Sequence, residues 1–112
     1  MVSQKSFREI ALSFTEVIEV PHFEIPSFRV NKKIFTTLWE KENKVMIKLP
    51  VNDQSVFCSF DSKIIYPVQG GWGKQGATFF ELSKVKKSML KDALTIAYCN
   101  VAPKRLSEKF SK

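Results

Sequence analysis

Few residues in this sequence are suited to covalent or metal chemistry. His22 is the single histidine, and Cys58 and Cys99 are the two cysteines. The sequence has no CxxC pair, no HExxH motif and no Cys/His cluster, so it offers no ligand set for a structural zinc ion. A nucleophilic cysteine would need His22 as its base, and the spacing gives no sign of such a pair. We therefore predict no catalytic residue, no metal site and no cofactor, and we interpret both cysteines as core or half-buried thiols.

The most unusual local feature is a run in which all four glycines lie within seven residues, from Gly70 to Gly76. It is not a phosphate-binding P-loop, because neither serine nor threonine follows Lys74 and because a strand is predicted next. It is not a dinucleotide-binding fingerprint either, because the βαβ context of that motif is missing. We interpret the run as a tight connection between two strands, in which glycine permits positive φ.

Trp72 lies inside this glycine run and allows two interpretations. Packing against an edge of the core is favoured, because large aromatic residues in short loops usually have that role. The alternative is stacking on a base, with Lys74 and Gln75 supplying hydrogen-bond donors. An aromatic residue beside a lysine at a hairpin tip is typical of a nucleic-acid-binding wing.

The charge of the chain is basic and unevenly distributed. Eighteen Lys and Arg against eleven Asp and Glu give a net charge of +7. Residues 1–25 carry two cationic and four anionic side chains, whereas residues 83–112 carry eight cationic and two anionic side chains. A basic region like the second attracts phosphate backbones, anionic lipid headgroups or an acidic protein. The alternative is a solvated face that keeps the protein soluble.

Lys86 and Lys87 are predicted in the first turn of the last long helix, where cations oppose the helix dipole. A bound anion would offset that cost, since free backbone amides at the turn can hold a phosphate. The alternative, slightly favoured, is that solvent screens both lysines and nothing is bound.

The 112 residues are enough for one domain, 1–112, and their periodicity predicts an α+β fold. The first predicted helix starts at Ser3 or Ser6 and ends before Pro21. The second runs from Asn52 or Asp53 to about Phe60, with Val56, Phe57 and Phe60 inward. The third starts at Val85 and has a buried stripe of Met89, Ala93, Ile96, Ala97 and Val101. A short helix is predicted over Lys104 to Phe110. The predicted strands are Ser27 to Val30, Lys33 to Trp39, Lys44 to Leu49, Ile64 to Val68 and Ala77 to Leu82, and the first three form an antiparallel meander with one face buried. A two-residue turn at Asn31-Lys32 joins the first two strands, and Pro67 places its strand at an edge or an end of the sheet.

Three stretches together resemble one family over about Phe7 to Leu106. They are Pro26 to Val30 followed by Lys33 to Leu38, Gly71 to Gly76 followed by Thr78 and Leu82, and Asn100 to Leu106. Their order and spacing are similar to those of the MmcQ/YjbR group of small bacterial proteins. The resemblance implies about five to six antiparallel strands with N- and C-terminal helices on one face, as in the frataxin (CyaY-like) shape, and a "double wing" of hairpins for which the family is called DNA-binding.

Two details qualify what the resemblance implies. Frataxin-like iron binding uses an acidic ridge, whereas Glu9, Glu16 and Glu19 fall on different faces of the predicted first helix, so iron binding is not expected. Relatives often have an acidic cap where Lys86 lies, so this chain is locally more basic than its group.

We expect a non-enzymatic domain that binds DNA, with a duplex as the favoured form, through weak phosphate contacts and with little sequence preference, because no recognition helix is evident. The candidate contacts are Arg29, Lys32, Lys33, Trp72, Lys74, Gln75, Lys86 and Lys87. The alternative is a protein-interaction module that uses the sheet face or edge, which would lack strong salt dependence. We expect DNA as the partner and no contact with a membrane. A monomer is the favoured oligomeric state. Free thiols and the lack of an apolar signal segment suggest a cytoplasmic location.

Overall fold

Six strands form one antiparallel sheet, and the helices pack on one of its faces. The computed structural model describes residues 1–110, so residues 111 and 112 of the predicted domain lie outside the described part. The strands are β1 (Ile18–His22), β2 (Ile25–Val30), β3 (Lys33–Trp39), β4 (Lys44–Lys48), β5 (Ile65–Pro67) and β6 (Ala77–Glu81). Their order is β1-β2-β3-β4-β6-β5, a four-strand meander followed by a β6–β5 pair. The predicted α+β class is confirmed.

The helices are α1 (Gln4–Ser13), α2 (Val51–Cys58), α3 (Gly71–Lys74), α4 (Lys87–Val101) and α5 (Lys104–Ser107), with a 3₁₀ turn at Glu108–Phe110. Ser3 caps α1, since its Oγ accepts a hydrogen bond from the Ser6 amide at 3.0 Å. The core lies between the helices and the sheet. The Phe7 ring of α1 meets Phe28 edge-on, with centroids 5.4 Å apart, and both rings are fully buried. Burial of the apolar side chains of this core is the dominant favourable term in folding.

The predicted first helix is too long, and the strand β1 was missed. The helix α1 ends at Ser13, Glu16 then takes a positive φ of 65°, and the chain continues as β1 through Pro21. Ile18 recurs with Phe7, Ile10, Ala11 and Phe14 at helical spacing, which predicts it on the buried face of the helix, but it is exposed in this strand. A proline is tolerated in β1 because an edge strand leaves one side of its backbone unpaired.

In the second helix, the predicted inward face is wrong at two positions. Val56 in α2 and Phe60 just beyond it are exposed, and Phe57 alone of the predicted three packs against the core. The buried residue of α2 is Gln54. Its side chain is drawn inward because it bonds backbone carbonyls of the neighbouring chain segment, which fixes the rotation of this short helix.

The last long helix presents a different face from the predicted stripe. Its buried residues are Leu90, Ala93, Leu94, Ala97 and Tyr98. Met89, Ile96 and Val101, which the prediction placed in the core, are only half-buried at its margin. Tyr98 fits the core because its hydroxyl donates to the Thr15 carbonyl at 2.8 Å while its ring stacks on Phe14.

The first two hairpins of the meander, β1–β2 and β2–β3, each close with two residues of positive φ. Asn31 and Lys32 have φ of 51° and 67°, as the predicted turn requires. Phe23 and Glu24 make a second such turn between β1 and β2, with φ of 51° and 68°. Phenylalanine is an unusual residue at this position, because the left-handed region costs a side chain with Cβ about 1–2 kcal/mol.

The sheet face that carries no helix is apolar at its centre. Met46, Ala77 and Phe79 are buried there, and Trp39, Tyr66 and Val68 pack against them. The prediction of one buried face therefore needs correction, since the second face has its own small cluster. Within residues 1–110, no helix has the length and apolar character needed to cross a bilayer.

Candidate functional site

A groove of about 500 Å³ lies over the helix-free face of the sheet. Its cationic lining residues are Arg29, Lys32, Lys33 and Lys48, and its aromatic lining residues include Phe23, Trp39 and Trp72. No Asp or Glu is among the described residues that line it. The volume falls within the ~300–1,000 Å³ typical of small-ligand sites.

Strand pairing explains why the groove collects these cations. Lys33 begins β3 directly after the Asn31-Lys32 turn, and Lys48 ends β4 opposite Ala77 at the start of β6. In an antiparallel sheet these chain ends lie at one end of the strands. The β2–β3 hairpin and the glycine run are thus brought to the same end of the sheet, with Lys48 on the strand between them.

Arg29 is held in the groove by a serine and a histidine, without a carboxylate partner. Its Nε donates to Ser27 Oγ at 3.1 Å, and its Nη2 lies 3.5 Å from His22 Nδ1. The Ser27 hydroxyl in turn donates to the Val20 carbonyl of β1. These contacts orient the guanidinium without neutralising it, so its positive charge and remaining N–H groups are directed to the groove.

The glycine run, predicted as a tight connection between two strands, contains the helical turn α3. Gly70 and Gly76 have positive φ of 86° and 111°, as predicted for a tight connection. Gly73 is needed for a different reason, because a Cβ at this position would lie 1.7 Å from the Val68 carbonyl oxygen. Residues Gly71 to Gly76 match the pattern G-x-G-x-x-G. They lie between the antiparallel strands β5 and β6, and α3 spans only four residues, so the βαβ context of the dinucleotide-binding motif is absent.

Gln54 fastens this turn from the interior. Its Nε2 donates to the Gly73 carbonyl at 2.7 Å and to the Ala77 carbonyl at 3.2 Å, and all three groups are buried. The α3 turn is therefore a fixed part of the fold. Trp72 projects from it with 61% of its surface exposed, so the favoured interpretation of Trp72 as a core cover is wrong.

The floor of the groove is apolar and ordered. Trp39 Nε1 donates to Thr37 Oγ1 at 3.0 Å, and the Trp39 ring meets Phe79 edge-on. Met46 and Ala77 lie beside them and are nearly inaccessible to solvent. A ligand on this floor would gain from desolvation of a flat apolar part, while its charged part met the lysines.

Lys44 lies over a cluster of three aromatic rings next to the groove. Its Nζ is 3.9 Å from the ring centroid of Phe79, 5.7 Å from Tyr66 and 6.0 Å from Trp39, which are cation–π distances. The Tyr66 hydroxyl donates to the Glu81 carboxylate. Burial raises the pKa of Tyr66 to about 12, and the Glu81 carboxylate adds to this shift.

The predicted contacts at the helix entrance lie elsewhere. Lys87 is the first residue of α4, whereas Val101, its last residue, lines the groove. At 1.5 Å per residue, the two ends of the helix are about 21 Å apart. Lys87 lines a smaller cleft against α1, which also contains Lys91 and the Glu9 carboxylate. Lys86 is the exposed N-cap residue of α4.

Of the eight predicted contacts, five line the groove together: Arg29, Lys32, Lys33, Trp72 and Gln75. Lys74 is exposed on the same turn without lining the groove. Sequence reasoning missed Phe23 and Lys48, and it considered His22 only as a possible catalytic base. In the sequence, Lys44, Met46 and Lys48 alternate with Val45, Ile47 and Leu49, which places Lys48 on the face away from the core, but the pattern did not indicate that this face carries a groove.

The two thiols are separated from the groove. Cys58 and Cys99 are half-buried and pack against the helix-covered core, and burial raises the pKa of both. They are therefore poor thiolates at neutral pH. Among residues 1–110, no three His, Cys, Asp or Glu side chains come together in a way that would hold a metal ion.

Comparisons with known proteins show the fold. No family model and no curated protein matches the sequence. The chain is similar to the crystal structure of the protein DR2400 from Deinococcus radiodurans, which contains the domain DUF419. The two are 13% identical, with a TM-score of 0.76 over 97% of this chain and 88% of DR2400.

Proposed function

We propose that this protein is a non-enzymatic DNA-binding domain, which contacts phosphates weakly and with little sequence preference. The observation that carries the proposal is the composition of the groove, with four cationic side chains and no carboxylate among its described lining residues. Cations that line a concave surface reinforce one another's potential and raise the local concentration of polyanions. The groove offers no Cys–His or carboxylate–His pair for catalysis.

The three arginines of the chain differ in a way that supports this proposal. Arg105 is paired with Glu16 at 2.7 Å, and Arg8 with Glu19 and Glu40 at 3.4 and 3.2 Å. Arg29 is instead oriented by a serine and a histidine. A guanidinium that is fixed without a carboxylate partner keeps its charge and N–H groups for a phosphate, which it can bind in a bidentate manner.

The fold comparison supports the resemblance to the MmcQ/YjbR family, because DUF419 is an MmcQ/YjbR-like family. We propose that this chain is a distant bacterial member of that group. The β2–β3 hairpin and the connection at α3 then correspond to the two wings that the family resemblance implies. The half-buried free thiols fit a cytoplasmic location.

Anisotropy of a labelled duplex oligonucleotide tests the DNA-binding proposal. The logarithm of the association constant should fall linearly with the logarithm of salt concentration, with a slope of about −0.9 per phosphate contacted. In the double variant Lys32→Gln/Lys33→Gln, affinity should fall and the slope should become shallower by about 2. The control Lys41→Gln/Lys63→Gln removes the same charge from exposed lysines outside the groove and should change neither value by a comparable amount.

A protein-interaction module is the second candidate, and the apolar floor around Met46 favours it. Burial by a partner protein of the exposed Phe23 and Trp72 side chains, which line the groove above that floor, would give binding that changes little with salt. If DNA shows no salt-dependent binding, or if both double variants behave alike, the DNA proposal is wrong and this candidate replaces it.

A further inference from the structure

The groove combines its cations with an aromatic residue that the fold keeps exposed. Trp72 is 61% exposed, yet it belongs to a turn fixed by the Gln54 hydrogen bonds and by the close approach of Gly73 to the Val68 carbonyl. A flexible loop could fold its tryptophan onto the sheet, whereas this turn holds the residue outward. A residue whose backbone is fixed in this way has only its side-chain freedom to lose when a ligand stacks on it.

A second exposed aromatic residue lines the same groove under backbone strain. Phe23 is 88% exposed at φ 51°, at a turn position that ordinarily takes Asn or Gly. The His22 ring lies beside the Phe23 ring, with centroids 4.6 Å apart, and His22 also contacts Arg29. Strain retained at an exposed residue points to function, because nothing in the packing of the fold requires a phenylalanine there.

From these observations, and resting on the proposed DNA-binding function, we infer that the groove takes an unpaired nucleobase together with its phosphate. The base stacks on Trp72 over the apolar floor, and the phosphate meets Arg29 and the lysines. The bases of a duplex stack on each other and leave no free aromatic face for Trp72, whereas every base of a single strand has one. The ligand chemistry is that of single-stranded nucleic acid or of a free nucleotide.

The test compares three labelled or competing probes: a thymidine 12-mer, a duplex of the same length and thymidine monophosphate. The variant Trp72→Ala should lose at least about fivefold affinity for the 12-mer, as expected for the loss of one base–aromatic stack. Its affinity for the duplex should stay within about twofold of that of the unmodified protein. Trp72→Phe, which keeps a stacking face, should recover most of the 12-mer affinity.

Phe60→Ala is the matched control, since Phe60 is 55% exposed and lies outside the groove. It should leave the affinity for the 12-mer unchanged, and circular dichroism should show that all variants are folded. If the monophosphate binds and depends on Trp72 while the 12-mer does not bind, the ligand is a free nucleotide; the base site stands and the DNA proposal falls.

Two results overturn the inference. If Trp72→Ala binds the 12-mer as tightly as the unmodified protein does, while the Lys32/Lys33 double variant binds it more weakly, the base site is wrong and the DNA proposal stands. If none of the three probes binds at 50 mM salt, both proposals are wrong.

Discussion

Gln54 shows how much one buried polar side chain can position. Its amide joins α2 to the turn that presents Trp72, through the Gly73 and Ala77 carbonyls. Both carbonyls also accept backbone hydrogen bonds, from Gly76 and Val68, so a variant without this amide leaves neither oxygen fully unsatisfied. The Gln54 amide therefore stabilises the folded protein through its two hydrogen bonds to these carbonyls, each of which contributes about 0.5–1.5 kcal/mol.

Gln54→Leu, which keeps a similar volume, should lower the free energy of unfolding by about 1–3 kcal/mol. Urea denaturation at 25 °C measures this change. The control is Gln69→Leu at an exposed position, where the change should stay within about 0.5 kcal/mol. Equal effects of the two substitutions would show that the turn does not depend on the amide.

Tyr66 gives a second test at the residue scale, because its pKa is raised to about 12 by burial and by the Glu81 carboxylate. The folded state binds this proton more tightly than the unfolded state, in which Tyr titrates near pH 10. The contribution of Tyr66 to stability is therefore fully present below about pH 10 and is lost as the pH rises toward 12. Absorbance at 295 nm should show a phenol that titrates near pH 12 and disappears in Tyr66→Phe, and a Tyr66 that titrates near pH 10 in the folded protein would contradict this.

At the scale of elements, an ion pair joins the segment after α1 to α5. Arg105 donates from Nη1 and Nη2 to the two Glu16 oxygens at 2.7 and 2.9 Å, a bidentate contact. The hydrogen bonds from Arg105 are the main cause of the lowered pKa of Glu16. Because both side chains are exposed, the contribution of the pair to stability is small and sensitive to salt.

The pair should therefore be most visible through its pH dependence. A carboxylate whose folded pKa is lowered contributes fully above its unfolded value, near 4.5, and this contribution is lost as the pH falls through the folded pKa. The difference in Tm between the unmodified protein and Glu16→Gln should shrink when the pH is lowered from 7 to 3. Glu42→Gln, at an exposed turn position, is the control and should show no such trend. A difference that stays constant over this range would contradict the assigned role.

Elements with a strong local signal were predicted well, and elements that depend on tertiary partners were not. The Asn31-Lys32 turn and the alternation in β4 need only neighbouring residues, so the sequence indicates them directly. The strand β1 forms because β2 pairs with it, which overrides the helical spacing around Ile18. The one-turn helix α3 is likewise set by its contacts with Gln54 and Val68, which lie outside the glycine run.

The same distinction applies to the candidate site at the scale of the whole molecule. The sequence indicated cations on the β2–β3 hairpin and Trp72 and Gln75 on the glycine run as contacts, but their meeting in one groove follows from the strand order β2-β3-β4-β6. That order depends on pairings between residues far apart in the chain, such as Lys48 with Ala77. Lys86 and Lys87 looked equivalent to the other lysines in sequence, and only the packing of α4 separates them from the groove.

The two outer strands each contain a proline, Pro21 in β1 and Pro67 in β5. A second chain that tried to extend the sheet would meet a backbone position without an N–H donor at either border. Edge-to-edge growth into larger assemblies or fibrils is therefore disfavoured on both sides, even though the sheet is rich in β-branched and aromatic residues. The prolines thus restrict extension of the sheet at its borders without covering the groove, which lies over its face.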